Sequence, residues 1–176
     1  MGDSYNNFYL DEEELKEIRT IIASADWLEY HEKLPNEEVI KLAKQAHIGL
    51  LPTMGDTFGF SVLEMQACGC PVITTDRQAL PEINNDQCGW LINTKDIPLS
   101  HGDDFAHYTR DEVDDLSKTI REQLIKIGAV ALDNRISLQE RAENSLERIK
   151  MQHAPIEYRS KLCSIYEQAM RGTGLC

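Results

Sequence analysis

Four short apolar runs separated by helically spaced segments constrain this chain more than any other feature. They lie at 27–30 (WLEY), 48–51 (IGLL), 71–74 (PVIT) and 89–92 (GWLI). Each is too short for a stable helix and is bounded by turn formers, so each reads as a strand. Between the second and third runs, 61–68 carries a helix. Between the first and second, the break LPNEE precedes a helix at 39–46 with Val39, Leu42, Ala43 and Ala46 on one face. Strand, helix, strand, helix, strand, with strands apolar on both faces, predicts a parallel sheet covered by helices on both sides, a three-layer α/β/α Rossmann-like fold.

The flanks are simpler. Residues 1–10 are polar and irregular, and 11–23 place Leu15, Ile18, Ile21 and Ile22 at helical spacing behind an acidic first turn that suits the helix dipole. Pro81 and Glu82 end a short turn of helix. Residues 93–110 read as a loop or insertion, and 113–127, 133–152 and 155–170 read as helices, the last closing the domain with Pro155 at its first position. The 176 residues fit a single domain.

Charge and cysteines exclude several functions. Eighteen basic against thirty acidic side chains leave a net charge of −12, which repels a nucleic-acid backbone. No apolar run approaches the roughly 20 residues of a membrane span. The five cysteines, Cys68, Cys70, Cys88, Cys163 and Cys176, follow no metal-ligand spacing and read as buried inert thiols in a cytoplasmic protein. His31, His47, His101, His107 and His153 offer no pair at metal-binding spacing, Asp103, Asp104, Asp114 and Asp115 read as solvated surface, and Phe58-Gly59-Phe60-Ser61-Val62 lacks the small residues of a nucleophile elbow.

The stretch 52–64 is the candidate site. In an open parallel sheet ligands collect beyond the carboxyl ends of strands, and the helix starting near Ser61 offers unpaired N–H groups to a phosphate without needing a lysine. Gly59 permits close approach or an unusual backbone conformation. Glu64, in the first turn, leans back toward the pocket mouth, where it can accept hydrogen bonds from hydroxyls beside a phosphate. Asp56 and Glu64 at the two ends of the loop could grip the two polyols of a nucleotide diphosphate sugar. The same residues have a plainer reading, since Ser61-Val62-Leu63-Glu64 is an S-x-x-E capping box and aspartate commonly starts turns.

The stretches LPNEEVIKLAKQAHIGLLPT, DTFGFSVLE, ACGCPVITTDRQALPEI and GWLI, in this order, resemble the donor-binding carboxyl-terminal domain of the GT-B retaining glycosyltransferases, and HAPIEYRSKLCSIYEQAM is similar to that family's closing helix. The resemblance implies that Glu64 binds ribose hydroxyls and that Asp56, as the catalytic acid of the pair, contacts the donor sugar. It implies that Thr57, Phe58, Gly59 and Phe60 line the sugar, that Ser61 and Val62 reach the diphosphate, and that residues 31–34, Leu34 among them, hold the base. It further implies a UDP-, GDP- or ADP-sugar donor, metal-independent transfer with retention, no cofactor, and a glycan or glycolipid acceptor held by an amino-terminal domain absent from residues 1–176. On that basis the fragment alone is expected to be inactive, its full-length form cytoplasmic or peripheral to a membrane. Three departures stand out. Asp56 is one methylene shorter than the family's usual glutamate, Gln66 is polar where a packed side chain is usual, and the family's basic diphosphate ligands lie upstream. The rival expectations are a non-catalytic α/β interaction module and a nucleotide-sugar epimerase of the same architecture.

Overall fold

The computed structural model describes residues 12–102 and 104–172; the irregular stretch 1–10, Asp103 and Cys176 lie outside the described residues. Three strands, β1 (Gly49–Leu51), β2 (Val72–Thr75) and β3 (Gly89–Ile92), form a parallel sheet in the order β1-β2-β3. The register pairs Leu50 with Ile73 and Ile73 with Trp90. The helices are α1 (Glu12–Ser24), α2 (Asn36–Gln45), α3 (Phe60–Ala67), α4 (Leu80–Ile83), α5 (Arg110–Asp133), α6 (Arg135–Gln152) and α7 (Pro155–Gly172).

Alternation along β2 divides the core in two. Val72 packs with Val62, Leu80 and Ile83 under α3 and α4, whereas its neighbour Ile73 packs with Ile92 and Ile120 under α5. Successive strand side chains point to opposite faces, so a strand with apolar residues throughout requires cover on both. This is the expected three-layer arrangement.

Buried polar groups join the layers. Asn84, fully buried after α4, donates through Nδ2 to Val72 O at 2.9 Å, Thr74 Oγ1 at 3.0 Å and Trp90 O at 3.2 Å, bridging β2 and β3. Gln66, the polar departure within α3, is also fully buried and donates to Ile83 O at 3.1 Å and Asn84 Oδ1 at 3.3 Å. The Nε2 group thus meets acceptors at the end of α4 instead of a hydrocarbon wall, while Oε1 is buried with no partner among the described residues. On α6, Ser145 donates to Cys88 O at 2.7 Å, and the Arg141 guanidinium lies 4.7 Å from the Trp90 ring centroid.

Several expectations are corrected. Residues 27–30 form the end of a turn and an irregular segment, with Trp27 77% and Tyr30 60% exposed; no described strand pairs with them. The run 48–51 is a strand but not a buried one, since β1 is an edge and Leu50 is 54% exposed. On α2 the expected inner face is largely outward: Val39, Leu42 and Ala46 are exposed, while Ile40 and Ala43 are half-buried. Burial separates the thiols: Cys70 and Cys88 are buried, Cys68 is half-buried, and Cys163 is exposed on α7. Burial, reinforced by nearby Cys68, pushes the Cys70 thiol up to about 11, far from the thiolate form that reacts.

Residues 93–110 are more ordered than a plain insertion. They contain a short 3-10 turn (Phe105–His107) and the N-cap Thr109, whose side chain and Glu112 form a reciprocal capping box at the start of α5. Such a box satisfies two orphan backbone donors at once.

Candidate functional site at the tip of α3

The chain leaves β1 through a stiffened turn. Thr53 N donates to Leu51 O at 2.9 Å, Thr53 Oγ1 donates to Gly55 O at 2.8 Å, and Thr75 Oγ1 donates to Thr53 O at 2.7 Å, tying the loop to the carboxyl end of β2. Asp56 Oδ1 then accepts from Phe58 N at 2.9 Å and from Gly59 N. Asp56 therefore initiates the turn that feeds α3, and two amides assigned by resemblance to the sugar are engaged inside the loop. Its second oxygen, Oδ2, accepts no hydrogen bond within the described residues.

Gly59 is the N-cap of α3, with φ 79° and ψ 44°. That left-handed backbone favours glycine, and the surroundings demand it as well: a Cβ would lie 2.6 Å from Ile83 Cδ1 and 2.8 Å from Leu80 Cδ2. The Gly59 carbonyl accepts from Val62 N at 2.9 Å and Leu63 N at 3.4 Å. Val62 is thereby removed from the expected diphosphate contacts: its amide is taken and its side chain is fully buried in the α3–α4 core. The amides of Phe60 and Ser61 have no intramolecular acceptor among the described residues and remain the open donors of the helix end.

The capping box is absent. Because the helix begins at Phe60 and its cap is Gly59, Ser61 is already helical, and no side chain caps the terminus. Glu64 is exposed and makes no hydrogen bond or ion pair within the described residues. A carboxylate freed from capping and standing one turn into the helix is available to an outside hydroxyl. Thr57, Phe58, Phe60 and Ser61 are exposed around it, and the Phe58 and Phe60 rings lie 4.7 Å apart, tilted by 40°. Leu34 is half-buried two residues before α2, a helix that packs on α3.

Sequence reasoning missed Arg77. It follows β2 at the carboxyl edge of the sheet, only 6% exposed, and donates through Nη2 to Gly102 O at 3.0 Å and to the Tyr108 hydroxyl, which itself donates to Gly102 O at 2.9 Å. Asp76 beside it accepts from Thr94 N at 2.9 Å and Thr94 Oγ1 at 2.6 Å. Together these hold the 93–110 segment against the strand ends. A charged pair directly after an apolar strand, Asp76-Arg77, was the available signal. Among the described residues no group of three metal-ligating side chains converges.

Fold and site together define a parallel α/β domain with an open helix terminus, rimmed by two carboxylates, at the carboxyl edge of its sheet. The family model described as "Glycosyl transferases group 1" matches residues 9–111, and the chain belongs to that family. Over 63 residues it is 35% identical to a D-inositol 3-phosphate glycosyltransferase of Corynebacterium jeikeium (strain K411), covering 35% of this chain and 15% of that protein. Over 71 residues it is 30% identical to an O-antigen chain mannosyltransferase B of Escherichia coli, covering 40% of this chain and 18% of that protein. The fold is similar to that of a sucrose-phosphate synthase from Thermosynechococcus elongatus, with a TM-score of 0.57 and 16% identity across 91% of this chain and 35% of that one. The chain thus spans less than a fifth of the length of these curated relatives.

Proposed function

We propose that this domain is the donor-binding part of a glycosyltransferase that moves a sugar from a nucleotide diphosphate to a glycan or glycoconjugate acceptor, with retention at the anomeric carbon. The observation that carries the reading is Glu64: exposed, without a partner among the described residues, and one turn into a helix whose Phe60 and Ser61 amides are likewise open. In this reading the two amides and the positive end of α3 hold the diphosphate. Glu64 accepts from the ribose hydroxyls, and Asp56 Oδ2 accepts from a hydroxyl of the transferred sugar. As the bond from the anomeric carbon to the diphosphate breaks, negative charge grows on the leaving oxygens, and donors fixed in advance near that charge lower the barrier. Most of the acceptor contacts and the remaining donor contacts come from parts of the protein beyond this domain, in a cytoplasmic or membrane-peripheral enzyme. The names of the relatives, a glycosyltransferase of D-inositol 3-phosphate and a mannosyltransferase of O-antigen chains, support a phosphorylated or polysaccharide acceptor.

Titration calorimetry of the chain with UDP-, GDP- and ADP-sugars tests this. Glu64→Ala is expected to weaken binding of the preferred donor by about tenfold, the worth of one or two hydrogen bonds to a charged group, without lowering the melting temperature. Unchanged affinity in that variant would remove Glu64 from the site.

A further inference from the structure

The loop proposed to hold the donor contains no cation: between Lys44 and Arg77 the sequence has neither lysine nor arginine. A basic cluster that shares a groove with that loop lies on α5. A groove of about 710 Å³ is lined by Met54 of the loop, by Glu14 of α1, and by Arg110, Asp114, Ser117, Lys118 and Arg121 on one face of α5. These α5 positions recur at helical spacing, so their side chains stand in a single row. Met54 itself packs into the core beneath α5, against Val113 and Leu116, which fixes the loop to this helix.

Charge in the groove is unevenly distributed. Arg110 is shared by Glu14 at 2.9 Å and Asp114 at 3.2 Å, so both carboxylates lining the groove are engaged with one guanidinium. Lys118 and Arg121 make no ion pair or hydrogen bond within the described residues. Two unpaired cations beside a serine hydroxyl, in a chain of net charge −12, form a local reversal of the overall field. Lysine and arginine donors of this kind favour a doubly charged, multi-oxygen anion.

We propose that Ser117, Lys118 and Arg121 form a phosphate-binding subsite for the acceptor, a phosphorylated sugar or a lipid-borne phosphate delivered beside the donor loop. Assigning the phosphate to the acceptor rests on the reading of the α3 tip as the donor site; phosphate binding in the groove does not. Inorganic phosphate is titrated into the ¹⁵N-labelled chain and followed by NMR, which resolves α5 from the α3 tip. Saturable shifts at Ser117, Lys118 and Arg121 are expected, weakened about tenfold in Lys118→Gln/Arg121→Gln and retained in Glu64→Ala. Lys118→Arg should keep binding, and the melting temperature should hold in all variants because these side chains are exposed.

Co-sedimentation with phosphatidic acid vesicles against phosphatidylcholine vesicles separates the sources. Binding lost in the double variant assigns a lipid-borne phosphate; no vesicle binding beside intact phosphate shifts assigns a soluble one. Absence of saturable shifts on α5, or shifts that the double variant leaves unchanged, overturns the subsite. If the subsite persists but no nucleotide sugar shifts Phe60, Ser61 or Glu64, the donor reading fails while the phosphate site stands.

Discussion

Leu50 and Ile73 face each other across the β1–β2 ladder, yet Ile73 is 1% exposed and Leu50 is 54% exposed. The contrast extends beyond the pair. On the β2–β3 side, α3, α4, α5 and α6 cover both faces, and Asn84, Gln66 and Ser145 satisfy buried polar groups. Ahead of β1 in the chain, α1 buries no residue, Ile18 and Ile21 are exposed, and 27–30 pair with no described strand. Parallel strands are stable where helices cover them. The difference teaches that the candidate site, although it leaves the exposed edge strand β1, is braced by the finished part of the core through α4 and β2.

Truncation should separate the two flanks most. Ile73→Ala is expected to cost about 3 kcal/mol in urea denaturation and Leu50→Ala about 0.5 kcal/mol, because only the first leaves a cavity. Equal losses would mean that β1 is covered in solution as β2 is. Gly59→Ala comes next, at about 2 kcal/mol for a left-handed residue meeting Leu80 and Ile83. Gly102, at φ 60° with nothing near a Cβ, supplies the control: Gly102→Ala should cost about 1 kcal/mol, backbone strain alone.

Acidification sharpens the contrast further. Bonds from the Ser100 and Thr109 amides hold the Glu112 carboxyl down at about 2. A folded value below the unfolded one of about 4.3 stabilises the fold fully above that pH, and the contribution disappears as pH falls toward 2. Glu112→Gln should therefore flatten the acid limb of stability between those values. Titration of Glu112 near pH 4 by NMR would show that the 93–110 segment is not held as described. The smallest effect is on protection alone: amides of α1 and α7 should exchange fastest among the helices and those of β2 slowest. Protection of α1 equal to that of α3 would show that α1 is covered in solution.

How much of this was legible depended on what each residue needs. The strands at β1, β2 and β3 were readable because continuous apolar runs between turn formers have few other solutions, and the helices followed from spacing. Residues 27–30 misled because an apolar run states a propensity, whereas a strand also needs a hydrogen-bonding neighbour. The faces of α2 were misjudged for a related reason: periodicity finds an apolar stripe but not whether anything covers it. At the site, the importance of Gly59 and the exposed position of Glu64 were legible. The turn at Asp56 was foreseen only as the plainer alternative, and the burial of Val62 was not, because both depend on where the helix starts to within one residue. Arg77 as an anchor of the 93–110 segment, and the α5 cations beside Met54, were invisible, since only folding brings positions so distant in sequence together.

The fit of Gly59 against Leu80 and Ile83 has a mechanical outcome. With no slack between the loop apex and the short LPEI turn, the apex cannot swing on its own; any shift on ligand entry must push α4, and through Asn84 the strands β2 and β3. Substitutions at positions 80 and 83, remote from any ligand atom, would thus retune the aim of the Phe60 and Ser61 donors.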